Sequence, residues 1–376
     1  MNSANVSGAN RKTSMLSHVI WAPDDSKILA CFKDRQPQLI CPRTKNVLRE
    51  LVIKDTDSPR PGSSQAHFDE IGYLSAFSPD GDLIAVGKDR LLHFFETNTG
   101  KMIATHKVKV NPATAQEFLN SLNSDQVLSR LPAMGTKEQQ LQRLDKYIRE
   151  IPQGLTTLRW DRAGVSIGTP VGAYQLNLAD GTRKVSLRPI SCPGIVRSPV
   201  TSPDGQLVAA LFVPNIEVLA DLYWNFNKAL NIARRGLCIW SIETGEIVVK
   251  FQGEDLPEWQ QCNIFWSADS QLIAWGYDNK VILFDINSQA ARVLARSQDD
   301  QTRFLAWHPR KNFIAVQDSS DGIVVYDTIS GVKQANYREA AWMRYNKIGE
   351  RVFAWSNVGD ALAVGCSQGS VDVWKF

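Results

Sequence analysis

A single stretch fixes the architecture open to this chain. From Cys262 to Arg296 it reads CNIFWSADSQLIAWGYDNKVILFDINSQAARVLAR, three apolar runs (IFW, LIAW and VILF) and a weaker fourth (RVLA). The breaks, Ser267 to Ser270, Gly276 to Asn279 and Asp285 to Ser288, are small polar residues whose side chains bond back to their own backbone. The pattern predicts four short strands in one antiparallel meander. Such a sheet cannot bury both of its faces alone, so the fold must supply further copies.

The copies are found by the aromatic that ends the first run and the polar turn after it. They begin at Trp21 (IWAPDD), Phe77 (FSPDG), Trp160 (WDRAG), Trp266 (WSADS), Trp307 (WHPRK) and Trp355 (WSNVGD), with Thr201 (TSPDG) in the same place in a seventh. A second run follows each marker (KILACF, LIAVGK, GVSIGT, LVAALF, LIAWGY, FIAVQ, ALAVGC). Third runs end in aromatics in LLHFF, GLCIW, VILF, GIVVY and VDVW. Next comes a turn with an acid or Ser, then Ser or Thr three residues on, as in Glu96-Thr-Asn-Thr99-Gly100 and Asp327-Thr-Ile-Ser330-Gly331. Four strands in a period of about forty residues predict an all-β fold, a seven-bladed β-propeller in one domain over residues 1–376.

The SPDG turns, the W/F-S opening and the aromatic-acid-x-x-S/T-G ending resemble the WD-repeat (WD40-like) β-propeller family over nearly the whole chain. The resemblance implies four-stranded antiparallel blades around a channel and marks a divergent member. The Gly-His dipeptide before the first strand is missing, with His67 the nearest approach, and no third strand ends in Trp-Asp. Asp89 and Asp278 match the family's acid position individually.

Spacing locates what is added to the repeats. Between Trp160 and Thr201, and between Trp266 and Trp307, lie about forty residues, while other intervals run long. The additions are Asp55 to Glu70 and Asn111 to Gly154, both fourth-to-first-strand links, and Pro214 to Arg235, a second-to-third-strand turn. In an antiparallel blade these connections leave by the same face. The 111–154 insertion, between the second and third copies, predicts a helical hairpin, with Phe118 and Leu122 on a broken apolar stripe and Arg143 and Arg149 on a polar face. The 214–235 insertion, within the fourth, predicts one helix with Tyr223 on its apolar face, and Lys228, Arg234 and Arg235 towards its C-terminus. The seventh copy ends at Phe376 on its third strand, and Arg11 to Leu16 are the expected source of its fourth. Such closure leaves no sheet edge open.

Of eleven tryptophans, eight fall on strands; Trp224, Trp259 and Trp342 fall in links or insertions of the elaborated face. Trp and Arg are favoured interface anchors. The interaction candidates are therefore Phe118, Leu122, Arg143, Arg149, Tyr223, Trp224, Lys228, Arg234, Arg235, Trp259 and Trp342. The alternative for each is packing against the propeller itself.

Chemistry was sought and gives no lead. Gly365-Cys-Ser367-Gln-Gly369 has the form of a hydrolase elbow, but no histidine follows it and its place is a hairpin. His18, His67, His93, His106 and His308 show no metal-ligand spacing, and no glycine-rich phosphate loop occurs, so no cofactor or metal is predicted. Asp24-Asp25 and Asp299-Asp300 sit at turns and links. The six cysteines lie mostly in or beside apolar runs and read as reduced core thiols. With no apolar signal segment and no membrane-length run, the expectation is a cytoplasmic chain, or a nuclear one in a eukaryote. A net charge of +3 selects no partner. The reading is a non-catalytic scaffold or adaptor binding proteins in a multi-subunit complex through the elaborated face. A nucleic-acid-associated subunit using the basic residues of the insertions is the second reading, and an enzyme with a composite channel site the third.

Overall fold

The strands form because each repeat closes its turns with its own side chains. Ser78, Ser202 and Ser267, each directly after a marker position, donate to the carboxylates of Asp80, Asp204 and Asp269 at 2.5 Å. The same hydroxyls accept the amides of Leu83, Leu207 and Leu272 at 2.9 Å, where the second strand begins. Ser356 repeats this with Asp360 and Ala361. At the other hairpin, Asp327 accepts the amides of Ile329 and Ser330 at 3.0 and 2.7 Å, and Asp285 those of Asn287 and Ser288 at 2.9 Å. The turn then needs a positive φ, supplied by Gly331 at 74° and at the matching position by Gln289 at 52°.

The fold is that of a computed structural model. It describes residues 16–33, 35–53, 73–88, 90–108, 155, 157–161, 164–169, 172–176, 183–187, 195–213, 236–252, 264–277, 279–296, 305–318, 322–337, 353–365 and 369–376.

Antiparallel sheets follow in chain order. The first holds β1 (Leu16–Trp21), β2 (Ile28–Phe32), β3 (Gln38–Ile40) and β4 (Val47–Glu50), and the second β5 (Leu74–Phe77), β6 (Leu83–Lys88), β7 (Leu91–Glu96) and β8 (Met102–Lys107). The third holds β9 (Thr157–Asp161), β10 (Gly164–Thr169), β11 (Gly172–Leu176) and β12 (Arg183–Leu187). β13 (Ile195–Thr201), β14 (Leu207–Val213), β15 (Gly236–Ser241) and β16 (Ile247–Gln252) make the fourth. β17 (Ile264–Trp266), β18 (Leu272–Tyr277), β19 (Lys280–Asp285) and β20 (Ala290–Arg296) make the fifth, and β21 (Leu305–Trp307), β22 (Phe313–Asp318), β23 (Gly322–Asp327) and β24 (Lys333–Tyr337) the sixth. The last, β25 (Phe353–Trp355), β26 (Ala361–Gly365) and β27 (Val371–Lys375), has three strands among the described residues.

These sheets are the blades of a β-propeller. Each first strand lies beside the first strands of the sheets before and after it, and β25 lies beside β1, so the circuit closes. Second strands such as β2 and β6 and third strands such as β7 and β19 are mostly buried, while fourth strands such as β4 and β8 are mostly exposed and form the perimeter.

The core sits in the seams between sheets. Ile264, Trp266, Ile273 and Phe284 of the fifth sheet pack on Ala209, Leu237 and Ile239 of the fourth. Leu16, Val19, Trp21, Ile28 and Phe32 pack on Ala361, Ala363 and Val371, joining the first sheet to the last. The marker tryptophans set how one sheet seats on its neighbour. The indole N–H of Trp266 donates to the Val200 carbonyl at 2.9 Å, Trp307 to Phe265 at 3.0 Å, Trp355 to Ala306 at 3.1 Å and Trp21 to Ala354 at 2.9 Å. The acceptor is always the residue before the preceding sheet's marker, so one bond repeats at four seams. Thr201 has no indole, and its seam is polar instead. Thr157 Oγ1 donates to the Pro199 carbonyl and Arg159 Nη1 to the Thr201 carbonyl at 3.4 Å. Gly168 lets this seam close, because a Cβ there would stand 2.8 Å from the Pro199 oxygen.

One expectation is corrected. Leu16 belongs to β1, where it pairs with Phe32, and so it is not part of a closing strand of the last sheet. Residues 11–15 lie outside the described residues, as do the predicted helical insertions 111–154 and 214–235.

Replacing Trp266 with Phe keeps most of the buried ring but leaves the Val200 carbonyl without its donor. Urea unfolding should show a loss of roughly 1–3 kcal/mol. A loss below about 0.5 kcal/mol would show that the indole bond contributes little.

Candidate functional site

In these sheets, fourth-to-first-strand links and second-to-third-strand turns leave on one side. The strand ends that flank 54–72, 109–154 and 214–235, segments outside the described residues, therefore lie on one face. The described stems of the first two are pinned. Leu51 is fully buried, and Ile53 and Tyr73, on either side of the first long link, are buried in the seam between the first and second sheets. The Gln36 amide holds Ile53 twice, accepting its N–H at 2.9 Å and donating to its carbonyl at 3.1 Å. Val108 and Leu155, which bracket the longest link, are buried in one cluster between the second and third sheets. Leu155 lies over Gly87, where a Cβ would come within 2.7 Å of its Cδ1. Both ends of that link thus start from fixed positions close together.

The eleven interaction candidates, Phe118, Leu122, Arg143, Arg149, Tyr223, Trp224, Lys228, Arg234, Arg235, Trp259 and Trp342, all lie outside the described residues, as do Asp89, Asp278 and Ser367. The other tryptophans sit on strands as expected, with Trp240 and Trp275 fully buried. The G-x-S-x-G stretch runs from the end of β26 to just before β27, a hairpin position with no following helix.

On the elaborated face, the Arg35 guanidinium stacks 3.6 Å from the centre of the Phe32 ring and donates to the Gly369 carbonyl at 2.6 Å. This ties the second-to-third-strand turns of the first and last sheets. At the opposite face Asn357 donates to Asp25 and to the Ala22 carbonyl across the same seam, and on its outer side Lys45 pairs with Asp372 at 2.5 Å. Arg159 is held below its usual range by burial, against the pull of Asp161 and Asp204. His18, whose Nε2 is buried without a partner, is pushed down to about 4 by burial. Arg35, Asn357, Lys45 and Arg159 each bond across a seam.

Two side chains that the sequence did not mark stand out. Cys41 opens the third-to-fourth-strand turn of the first sheet, in the place that Asp285 and Asp327 hold in theirs. Bonds from the Thr44 hydroxyl and the amides of Thr44 and Arg43 lower its thiol pKa. The signal was the turn alignment, with Cys in place of an acid. His308 takes the place of the capping serine in the sixth sheet. Among the described residues no three His, Cys, Asp or Glu side chains gather to hold a metal. No described helix is long and apolar enough to cross a membrane.

The architecture defines the class as β-propeller. No protein-family model and no curated protein matches the chain. Among solved structures it is similar to Kuenenia stuttgartiensis hydrazine synthase (TM-score 0.65, 10% identity, covering 100% of this chain and 99% of that one). It is similar to the β-propeller domain of Myceliophteria thermophila Cps50 (Swd1), with TM-score 0.61 and 9% identity over 97% of this chain and 98% of that one. It is similar also to U3-55K, with TM-score 0.60 and 13% identity over 99% and 97%. At such identities the likeness reaches the fold alone.

Among the described cysteines, Cys41 should alkylate first. Iodoacetamide near neutral pH should label it well before Cys31, which is fully buried with its thiol pushed up to about 12, and before buried Cys238. Equal labelling rates for Cys41 and Cys31 in the native protein would contradict the geometry.

Proposed function

We propose that this chain is a seven-bladed propeller of the WD-repeat type that acts as a non-catalytic scaffold, binding a protein partner within a larger assembly through its insertion-bearing face. The observation that carries the reading is the placement of the three long segments. All depart from one side of a ring whose seams are packed; the stems of the first two are buried, and Gln36 also holds Ile53. Stiff scaffolds carry recognition on such loops, and a long link held at both ends must offset its ordering cost by what it binds.

In this reading the three-stranded sheet is the seventh blade, and its fourth strand comes from residues before Leu16. The shortest interval between a fourth and a first strand is 188–194, itself outside the described residues. By that spacing a closing strand would end at or before residue 8. Removing residues 1–15 while keeping β1 should then lower the melting temperature of the whole ring; an unchanged melting temperature contradicts this closure.

The functional test replaces 111–154 with a short Gly-Ser link between the fixed stems. The variant is expected to melt as the wild type does and to lose the proteins that co-purify with it from its native cells. Retention of those proteins sinks the reading.

A further inference from the structure

Four repeats cap their first turn with serine, and the sixth uses histidine. His308 follows Trp307 as Ser78, Ser202, Ser267 and Ser356 follow their own markers, and it is 2% exposed. Its Nδ1 takes over the serine's role, accepting the amides of Arg310 at 3.0 Å and Lys311 at 2.9 Å. Its Nε2 does what no serine reaches to do, lying 3.0 Å from the Gly359 carbonyl oxygen on the last sheet. Amides donate and a carbonyl accepts, so all three contacts hold only for the neutral ring with its proton on Nε2. Gly359 makes the approach possible. It sits at φ 86°, and a Cβ there would stand 2.3 Å from His308 Cε1. Trp355 and Phe376 pack on the same ring from across the seam, with centroids 4.9 and 6.2 Å away.

We propose that His308 is a proton-released latch on the seam between the sixth sheet and the last. In the neutral form one side chain caps its own turn and holds the neighbouring sheet. When a solvent proton adds to the Nδ1 lone pair, Nδ1–H faces two amide donors, and both lose their acceptor while the ring becomes a buried cation. No covalent bond other than the new N–H changes.

The surroundings offer that cation little relief. Arg310 and Lys311, on the same turn, are both positive, and burial also opposes the charge; only the bond to Gly359 favours it. Across the seam, Trp355, Gly359 and Phe376 carry no side-chain charge, Asp360 is engaged by Ser356 at 2.9 Å, and Lys375 ends β27 as a further cation. The folded ring therefore binds its proton more weakly than the unfolded chain does, whose histidine titrates at about 6.5. The stabilisation is complete above that pH and is lost as pH falls below it towards the folded-state value.

The latch is independent of the partner proposed above, and its test needs none. Hydrogen exchange of the full chain would be measured at about pH 7.5 and about pH 5, as protection factors corrected for intrinsic rate, in wild type, His308→Ser and His308→Gln. Serine is the cap of four sister turns, and glutamine keeps a donor for Gly359; neither titrates. Wild type should lose protection over 305–318 and 353–365 by up to about tenfold per pH unit below about 6.5, while β14 to β19 hold theirs. Both variants should lose that local response. His18 lies in β1, which borders β25 and β26, so 305–318, away from β1, are the deciding peptides. Wild-type protection at this seam that is indifferent to pH overturns the proposal, as does a variant that keeps the wild-type response there.

Discussion

The structure depends on the burial of one sheet's face against the next. Apolar clusters fill the seams apart from that between the third and fourth sheets, so a sheet gains its burial only with its neighbours in place, and closing the ring supplies them all. Dispersion and apolar burial supply the attraction but do not choose a registration. The indole N–H does. A buried indole is costly unless bonded, and the carbonyl it finds is always the one preceding the next marker, which fixes sheet on sheet to within a hydrogen bond's tolerance.

Three seams carry contacts in place of that bond or beside it. Where Thr201 stands in place of tryptophan, Arg159 and Thr157 reach across instead, and Ser166 and Thr201 are left with buried hydroxyls that no described group partners. Where His308 stands in place of serine, a turn cap becomes a link between sheets. Where the last sheet meets the first, packing is reinforced on three sides, by Arg35, by Asp25 and by Lys45. That last junction joins residues more than three hundred apart in the chain, so it has the largest closure entropy to offset.

The same stiffness explains how a ring of this kind can serve recognition. Its strands and short turns are occupied in holding one another, and their polar atoms are largely used up in caps and seams. The long links depart from this frame. Their stems at Leu51, Ile53, Val108 and Leu155 transmit the ring's rigidity to the points where the links leave.

The repeat was legible in the residues because turn chemistry and strand length are local. Ser267 with Asp269, or Asp327 with Ser330, closes its hairpin whatever surrounds it, so strand order followed from spacing alone. The candidate site was legible only as a location, since what a loop binds depends on surfaces that repeats do not encode. What the tertiary structure decided is which atoms meet across seams. No spacing rule brings Trp21 to Ala354 or His308 to Gly359, and none assigns Leu16 to β1. Those contacts join residues from tens to hundreds of positions apart, and their geometry exists only once the ring has closed.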